Sequence, residues 1–246
     1  NDSSLINCLK KDTSDSVITR DDNALFLLEK SKSTFENILA RNAGSKAATN
    51  FAYAKTLFST IDLLKLYESE NLVAETLQRA KAAAEQAMNQ DSTWLACLDL
   101  RISINRELAL VYEKLGHTGR AIELLRNTEK LCRTLCQYDN VSVFRQRNLA
   151  RTCTSLGEVL EWAEHTPESD QESLSQYQNA LQVYKTISET SRLSLRDQLQ
   201  KAESQYCIAK LLQKMGQHDS SLAYLQSASE NGWATATLEL LKHAKG

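Results

Sequence analysis

The apolar residues of this chain recur at helical spacing, in paired blocks separated by short polar breaks. The clearest pair lies between Arg106 and Leu125. Leu108, Val111, Tyr112 and Leu115 fall on one face of a helix, with the small Ala109 inside the stripe. Gly116 follows the last apolar residue, where a left-handed C-cap costs glycine nothing. The turn Gly116-His117-Thr118-Gly119 is short and polar. Thr118 or Gly119 is placed to cap a second helix carrying Ala121, Ile122, Leu125 and Thr128 on one face. Two helices joined by so short a turn pack antiparallel.

The same periodicity predicts the other elements. Residues 1–20 are polar and weakly patterned. Asp21 to Asn23 offer caps to a helix that opens with Ala24-Leu25-Phe26-Leu27-Leu28, continues through Phe35, Ile38 and Leu39 and stops near Gly44. A helix from Lys46 to Ser69 carries Phe51, Tyr53, Leu57, Ile61, Leu64 and Tyr67, and its partner from Leu72 to Met88 turns Ala74, Leu77, Ala80 and Ala84 inward. Trp94 opens the helix that ends at Gly116, and its partner covers Arg120 to Tyr138. The helix from Ser142 to Glu164 holds Leu156-Gly157 and Leu160. A glycine inside a helix costs about 1 kcal/mol relative to alanine, so a close approach by another helix is expected there. Ser169-Asp170-Gln171-Glu172 reads as a capping box before Leu174, Tyr177, Ala180, Leu181 and Tyr184. The pattern returns at Ile208-Ala209, Leu212, Gly216, Ser221, Leu222, Leu225 and Ala228, and Asn231-Gly232 closes it.

These blocks predict hairpins over 46–88, 93–138, 142–190 and 193–230, with a capping helix over 233–244, in a single domain spanning 21–246. The small residues Ala109, Gly157 and Ala209 stand 48 and 52 residues apart, so the repeat is about fifty residues long. A terminal helix over the last hairpin is what an open stack of repeats needs.

The Arg106–Leu125 hairpin resembles a tetratricopeptide (TPR) repeat. Leu108-Ala109 stands for the leucine-plus-small pair, Tyr112 for the first helix's aromatic, Gly116 for the turn and Ala121 for the small residue of the second helix. Leu125 replaces the usual second aromatic, Asn105 sits where tryptophan is common, and no proline closes the unit. The long repeat is similar to the helical arrays appended to bacterial serine/threonine kinases and related signalling proteins, over residues 46–230. The resemblance implies an all-α, right-handed α-solenoid of antiparallel helix hairpins. It also implies that first helices line a concave groove that binds peptides. The groove residues would then be Arg106, Leu110 and Glu113, then Arg151, Ser155, Glu158 and Trp162, then Tyr206, Lys210 and Gln213. Trp162 stands out because tryptophan and arginine are enriched at binding hot spots. Its other reading is ordinary packing between helices. Leu110 occupies the place of an asparagine needed to clamp a chaperone's terminal carboxylate, which argues against that partner class.

Composition agrees with helices. The 246 residues include only 7 glycines and 1 proline, too few turn residues for a β-rich fold. A net charge of −2 gives no strong pull towards nucleic acid or an anionic membrane. The longest apolar runs, such as Ala24 to Leu28, fall far short of a membrane span. No signal peptide is visible, and the chain begins at Asn1 without methionine, so it reads as a piece or a processed product whose upstream anchor stays open.

Cys132 and Cys136 are one helical turn apart, at a Cβ separation of about 5–6 Å, against the roughly 3.8 Å that a disulfide takes. Cys97, Cys153 and Cys207 share apolar faces, where a thiol acts as a small hydrophobe. Reduced structural cysteines and a cytoplasmic site are expected.

No catalytic constellation emerges. His117, His165, His218 and His243 lie near turns or ends, without metal-ligand spacing. There is no phosphate-binding glycine loop and no nucleophile elbow. No cofactor or metal is predicted, and the chain is expected to be non-enzymatic. From Arg101 to Arg151 there are ten Lys/Arg against five Asp/Glu. This excess is either a solvated helix face or a basic patch for an acidic or phosphorylated segment. The functional expectation is a protein-interaction or scaffolding module of a larger signalling protein. The alternative is a sensing domain whose curvature, set by a peptide or small molecule, switches an attached effector.

Overall fold

The structure, a computed structural model, describes residues 26, 30, 32–38, 46–67, 69–90, 94–139, 142–163 and 166–237. Its elements are α1 (Lys46–Ser59), α2 (Ile61–Tyr67), α3 (Glu70–Met88), α4 (Leu95–Lys114), α5 (Thr118–Tyr138), α6 (Val143–Trp162), α7 (Pro167–Thr190), α8 (Leu195–Lys214) and α9 (His218–Glu230). Residues 32–38 are also helical, as is Phe26, and a further helical turn covers 234–237. The rest of the expected 233–244 helix, residues 1–20 and most of Ala24–Leu28 lie outside the described residues. From α2 to α9 each helix packs on the next, and α1 packs on α3. In addition α4 touches α6, and α6 touches α8, so these three first helices form one continuous row.

The repeat is legible in the bonds between helices. Arg147 reaches Asp197 and Thr154 meets Ser204 at a separation of 50 residues. Arg151 to Gln200 and Lys210 to Glu161 span 49. Lys114 bonds Glu70, and two repeats later Lys214 bonds Asp170, both across 44 residues. The turns repeat as well. Gly116 and Gly216 both have φ of 76°, and the amides after them, His117 and Gln217, donate to Tyr112 and Leu212 carbonyls at 2.8 Å. This is the left-handed closure that glycine permits and a Cβ resists.

Three local expectations change. The helix read as Lys46 to Ser69 breaks at Thr60, where the Thr60 amide and hydroxyl both turn back to the Leu57 carbonyl, at 3.2 and 2.7 Å. Such side-chain bonds compete with the helical ladder. Thr118 is the first residue of α5 rather than its cap, and His117 takes the cap position without a side-chain bond. The box at α7 is formed by Thr166 and Ser169 instead of Ser169 and Glu172, because Pro167 starts the helix with its φ already set. A box formed by Ser194 and Asp197 opens α8 and was not anticipated.

Asn105, which stands in place of the tryptophan, is buried and donates to Thr128 at 3.2 Å. Two repeats later Gln205 donates to Ser227 at 2.6 Å. A polar tie within the hairpin thus replaces an aromatic. Cys97, Cys132, Cys136, Cys153 and Cys207 are all free. Burial pushes the Cys132 and Cys153 thiols up to about 12.

Gly157 packs closely against the ring of Tyr177. A Cβ there would lie 3.0 Å from the Tyr177 ring, whose hydroxyl bonds Glu161. In the neighbouring hairpins alanine takes the small-residue position, and Leu125 and Leu225 pack in the clusters of Ala109 and Ala209. Gly157 is therefore explained by the size of Tyr177. Gly157→Ala is expected to destabilise by about 1–2 kcal/mol, overpacking outweighing the gain in helix propensity. Tyr177→Leu in the same chain should remove most of that penalty. Urea unfolding of the two single variants and the double variant checks this, and additive effects would contradict it.

Candidate binding groove

The residues singled out from the sequence fall on the α4–α6–α8 row at one-turn intervals. A cleft of about 240 Å³ crosses the row and is lined by Leu110, Glu113, Glu158, Val159, Glu161, Trp162, Tyr177, Cys207 and Lys210. Trp162 is 70% exposed and also borders a neighbouring space of about 500 Å³ beside Lys210 and Lys214. Leu110, Glu113, Glu158, Trp162 and Lys210 are thus brought together. Ser155 is buried. Tyr206 packs near Trp233, their rings 6.2 Å apart, with the Lys210 ammonium 5.9 Å from its centre. Gln213 borders a separate hollow with His218 and Ser221. Arg106, just past the middle of α4, and Arg151, in the N-terminal half of α6, are not part of the cleft lining.

The row is divided by charge. At the arginine end, Asp197 is fully buried and its Oδ2 accepts from Arg147 Nε at 2.8 Å. The same oxygen accepts from the Ser194 hydroxyl at 2.7 Å. Burial pushes this carboxyl up, but the bonds from Ser194 and Arg147 outweigh it and hold it below the usual range. Arg151 donates from Nε to Gln200 at 2.9 Å and stands 3.9 Å from Asp197.

Arg106 differs from these. Its Nη1 is shut off from solvent with no acceptor in the structure. Burial depresses its pKa below the ordinary arginine range; Glu107 opposes this, and lesser repulsion from Arg151 and Arg196 adds to it. Glu107 is itself bonded to Lys65. A guanidinium nitrogen without an acceptor in such a place is costly, since the water removed from its N–H groups is not replaced.

The other end is acidic. Burial pushes Glu158 up to about 7, helped by Glu203 and Glu161, while Arg106 pulls the other way. Burial also raises Glu203. Glu161 is compensated by Lys210 at 2.8 Å and by the Tyr177 hydroxyl at 3.3 Å. Asp197, Gln200, Glu203 and Glu161 were not read from the sequence. Two signals were available: Ser194-x-x-Asp197 as a capping box, and the repeat offset, which pairs Arg147 with position 197.

No protein-family model matches the chain, and no curated protein matches it. Solved structures do. A protein of Podosopora anserina described as a kinesin light chain with nearly identical TPR-like repeats is 20% identical, with a TM-score of 0.52, over 88% of this chain and 89% of that one. BtubC from P. vanneervenii is 10% identical, with a TM-score of 0.51, over 88% of this chain and 92% of that one. The fold is therefore a TPR-like α-solenoid. Among the described residues no helix is long and apolar enough to cross a membrane.

The raised Glu158 carboxyl carries a stability prediction. Its folded pKa lies above the ordinary value of 4.5, so the folded state keeps a proton that the unfolded chain releases first. Its contribution to stability is present below about 4.5 and lost as pH rises towards 7. Glu158→Gln should match the wild type near pH 4.5 and exceed it at pH 8 by about 2–4 °C in Tm, or about 1 kcal/mol for this partly exposed group. A gap between the two melts that does not change with pH would contradict the assignment.

Proposed function

We propose that the chain is a protein-interaction module that binds an extended segment of a partner protein along the α4–α6–α8 row. An acidic group of that segment, a carboxylate or a phosphoryl, is anchored at Arg106 and Arg151. The Nη1 of Arg106, which has no acceptor, carries this reading. A guanidinium nitrogen left without an acceptor inside its own fold is available to an acceptor from outside it. Charge-assisted bonds to an incoming anion supply the missing acceptor.

The rest of the row fits the same segment. Stacked helical repeats create extended surfaces suited to such ligands. Trp162 offers an exposed aromatic anchor at the rim of the cleft, and the carboxylates beside it suit a basic side chain on the same segment. The similarity of the long repeat to kinase-appended arrays supports a place within a larger signalling protein.

Replacing Arg106 separates function from stability. Arg106→Met keeps the length of the side chain and removes the buried charge. Its Tm should stay level or rise by about 2–4 °C, a gain of about 1 kcal/mol. Capture of partners from source lysate, read by mass spectrometry, should lose the acidic-segment partner with Arg106→Met. Equal capture by both proteins would refute the proposed anchor. A marked fall in Tm would make Arg106 a structural residue instead.

A further inference from the structure

The cleft between α4, α6 and α8 holds more carboxylates than cations. Glu113 of α4, Glu158 and Glu161 of α6 and Lys210 of α8 border one space of about 240 Å³. Lys210 is bonded to Glu161 at 2.8 Å. Glu113 and Glu158 make no hydrogen bond or ion pair among the described residues, and both are only partly buried. The cleft therefore keeps negative charge that the fold does not neutralise, in reach of a ligand. Trp162 borders the same space and is 70% exposed. Carboxylates without a counter-ion beside an open indole suit an organic cation, which pairs with the oxygens and lies on the ring. A metal ion does not fit. Among the described residues no group of three or more His, Cys, Asp or Glu is placed to hold one.

We infer that this cleft receives the guanidinium of an arginine side chain of the partner segment. The inference rests on the reading of the row as a partner-binding surface. It specifies a second, cationic contact that does not depend on the anion at Arg106.

The geometry favours arginine over lysine. The carboxylates come from two helices, and a guanidinium offers five N–H donors in a planar fork that reaches more than one acceptor. The same plane stacks on an aromatic face and is weakly hydrated, so little is lost on leaving water. A lysine ammonium is a compact, strongly hydrated point charge. Leu110 and Val159 give the cleft an apolar wall for the methylene stem.

The test uses three peptide pools with identical randomised flanks, free of arginine and lysine, around a fixed central arginine, lysine or glutamine. Binding to the full chain is measured by fluorescence anisotropy. The arginine pool should bind about fivefold or more tighter than the lysine pool, and the glutamine pool weakest. Glu158→Gln should lower the affinity of the arginine pool about fivefold. Trp162→Ala, at an exposed position, should lower it by about two- to fivefold. Helicity by circular dichroism should be unchanged in both variants. Equal binding of the arginine and lysine pools overturns the inference. So does an arginine pool that binds both variants as tightly as the parent chain. No binding by any pool overturns it too, while unchanged partner capture by Arg106→Met separately overturns the acidic-segment reading. Spermidine binding as tightly as the arginine pool makes the cleft a free-cation site and overturns the peptide claim.

Discussion

The fold depends on how closely one helix approaches the next at three small residues, Ala109, Gly157 and Ala209. All three are buried in the first helix of a hairpin. A larger side chain there would push the second helix away and open the core, because packed interiors have little slack. The bulk that each helix presents in return is matched to the space. Leu125 shares a core cluster with Ala109 and Leu225 with Ala209, whereas the larger Tyr177 requires glycine opposite it. Size complementarity, not residue identity, is what recurs from repeat to repeat.

Once the hairpins are set, the polar ties between them fix the register of the row. The bonds at separations of 49 and 50 run from α6 to α8 along most of both helices, from Arg147–Asp197 to Glu161–Lys210. Residues one repeat apart are therefore side by side, and a charge pattern along one helix is set against that of its neighbour. Arg147 is thereby set against Asp197, and Glu161 against Lys210. Arg147, Arg151 and Arg196 occupy the early turns of α6 and α8, while Glu158, Glu161 and Glu203 come later. Asp197 lies where both demands meet, closing the α8 capping box and neutralising Arg147.

The sequence made the helices and their pairing legible because both depend on local spacing and on glycine turns. Gly116, Gly216 and Gly232 all adopt the left-handed conformation their positions require. Boundaries were less legible where side chains compete for backbone groups, as at Thr60 and Thr166. The cleft was half legible. Reading one face of each first helix finds Leu110, Glu113, Glu158, Trp162 and Lys210, since they share that face. It does not find Tyr177 or Cys207, which reach the cleft from α7 and a neighbouring face of α8. Nor does periodicity reveal that Arg106 has an unaccepted donor, because that depends on what its neighbours are already bonded to.

The two ends of the row are thermodynamically coupled. Arg106 pulls Glu158 towards ionisation, while burial, Glu203 and Glu161 push it towards the neutral form, and the balance falls at about 7. An anion bound at Arg106 would screen the one favourable charge and add an unfavourable one. The Glu158 carboxyl would then hold its proton more tightly, and by linkage a protonated Glu158 would make the anion bind more tightly. A basic side chain of the same segment placed against the carboxylates would reverse the first effect and release the proton. Proton uptake or release on binding therefore reports whether a ligand occupies the arginine end alone or spans the row. A groove of a single sign of charge would not distinguish the two modes in this way.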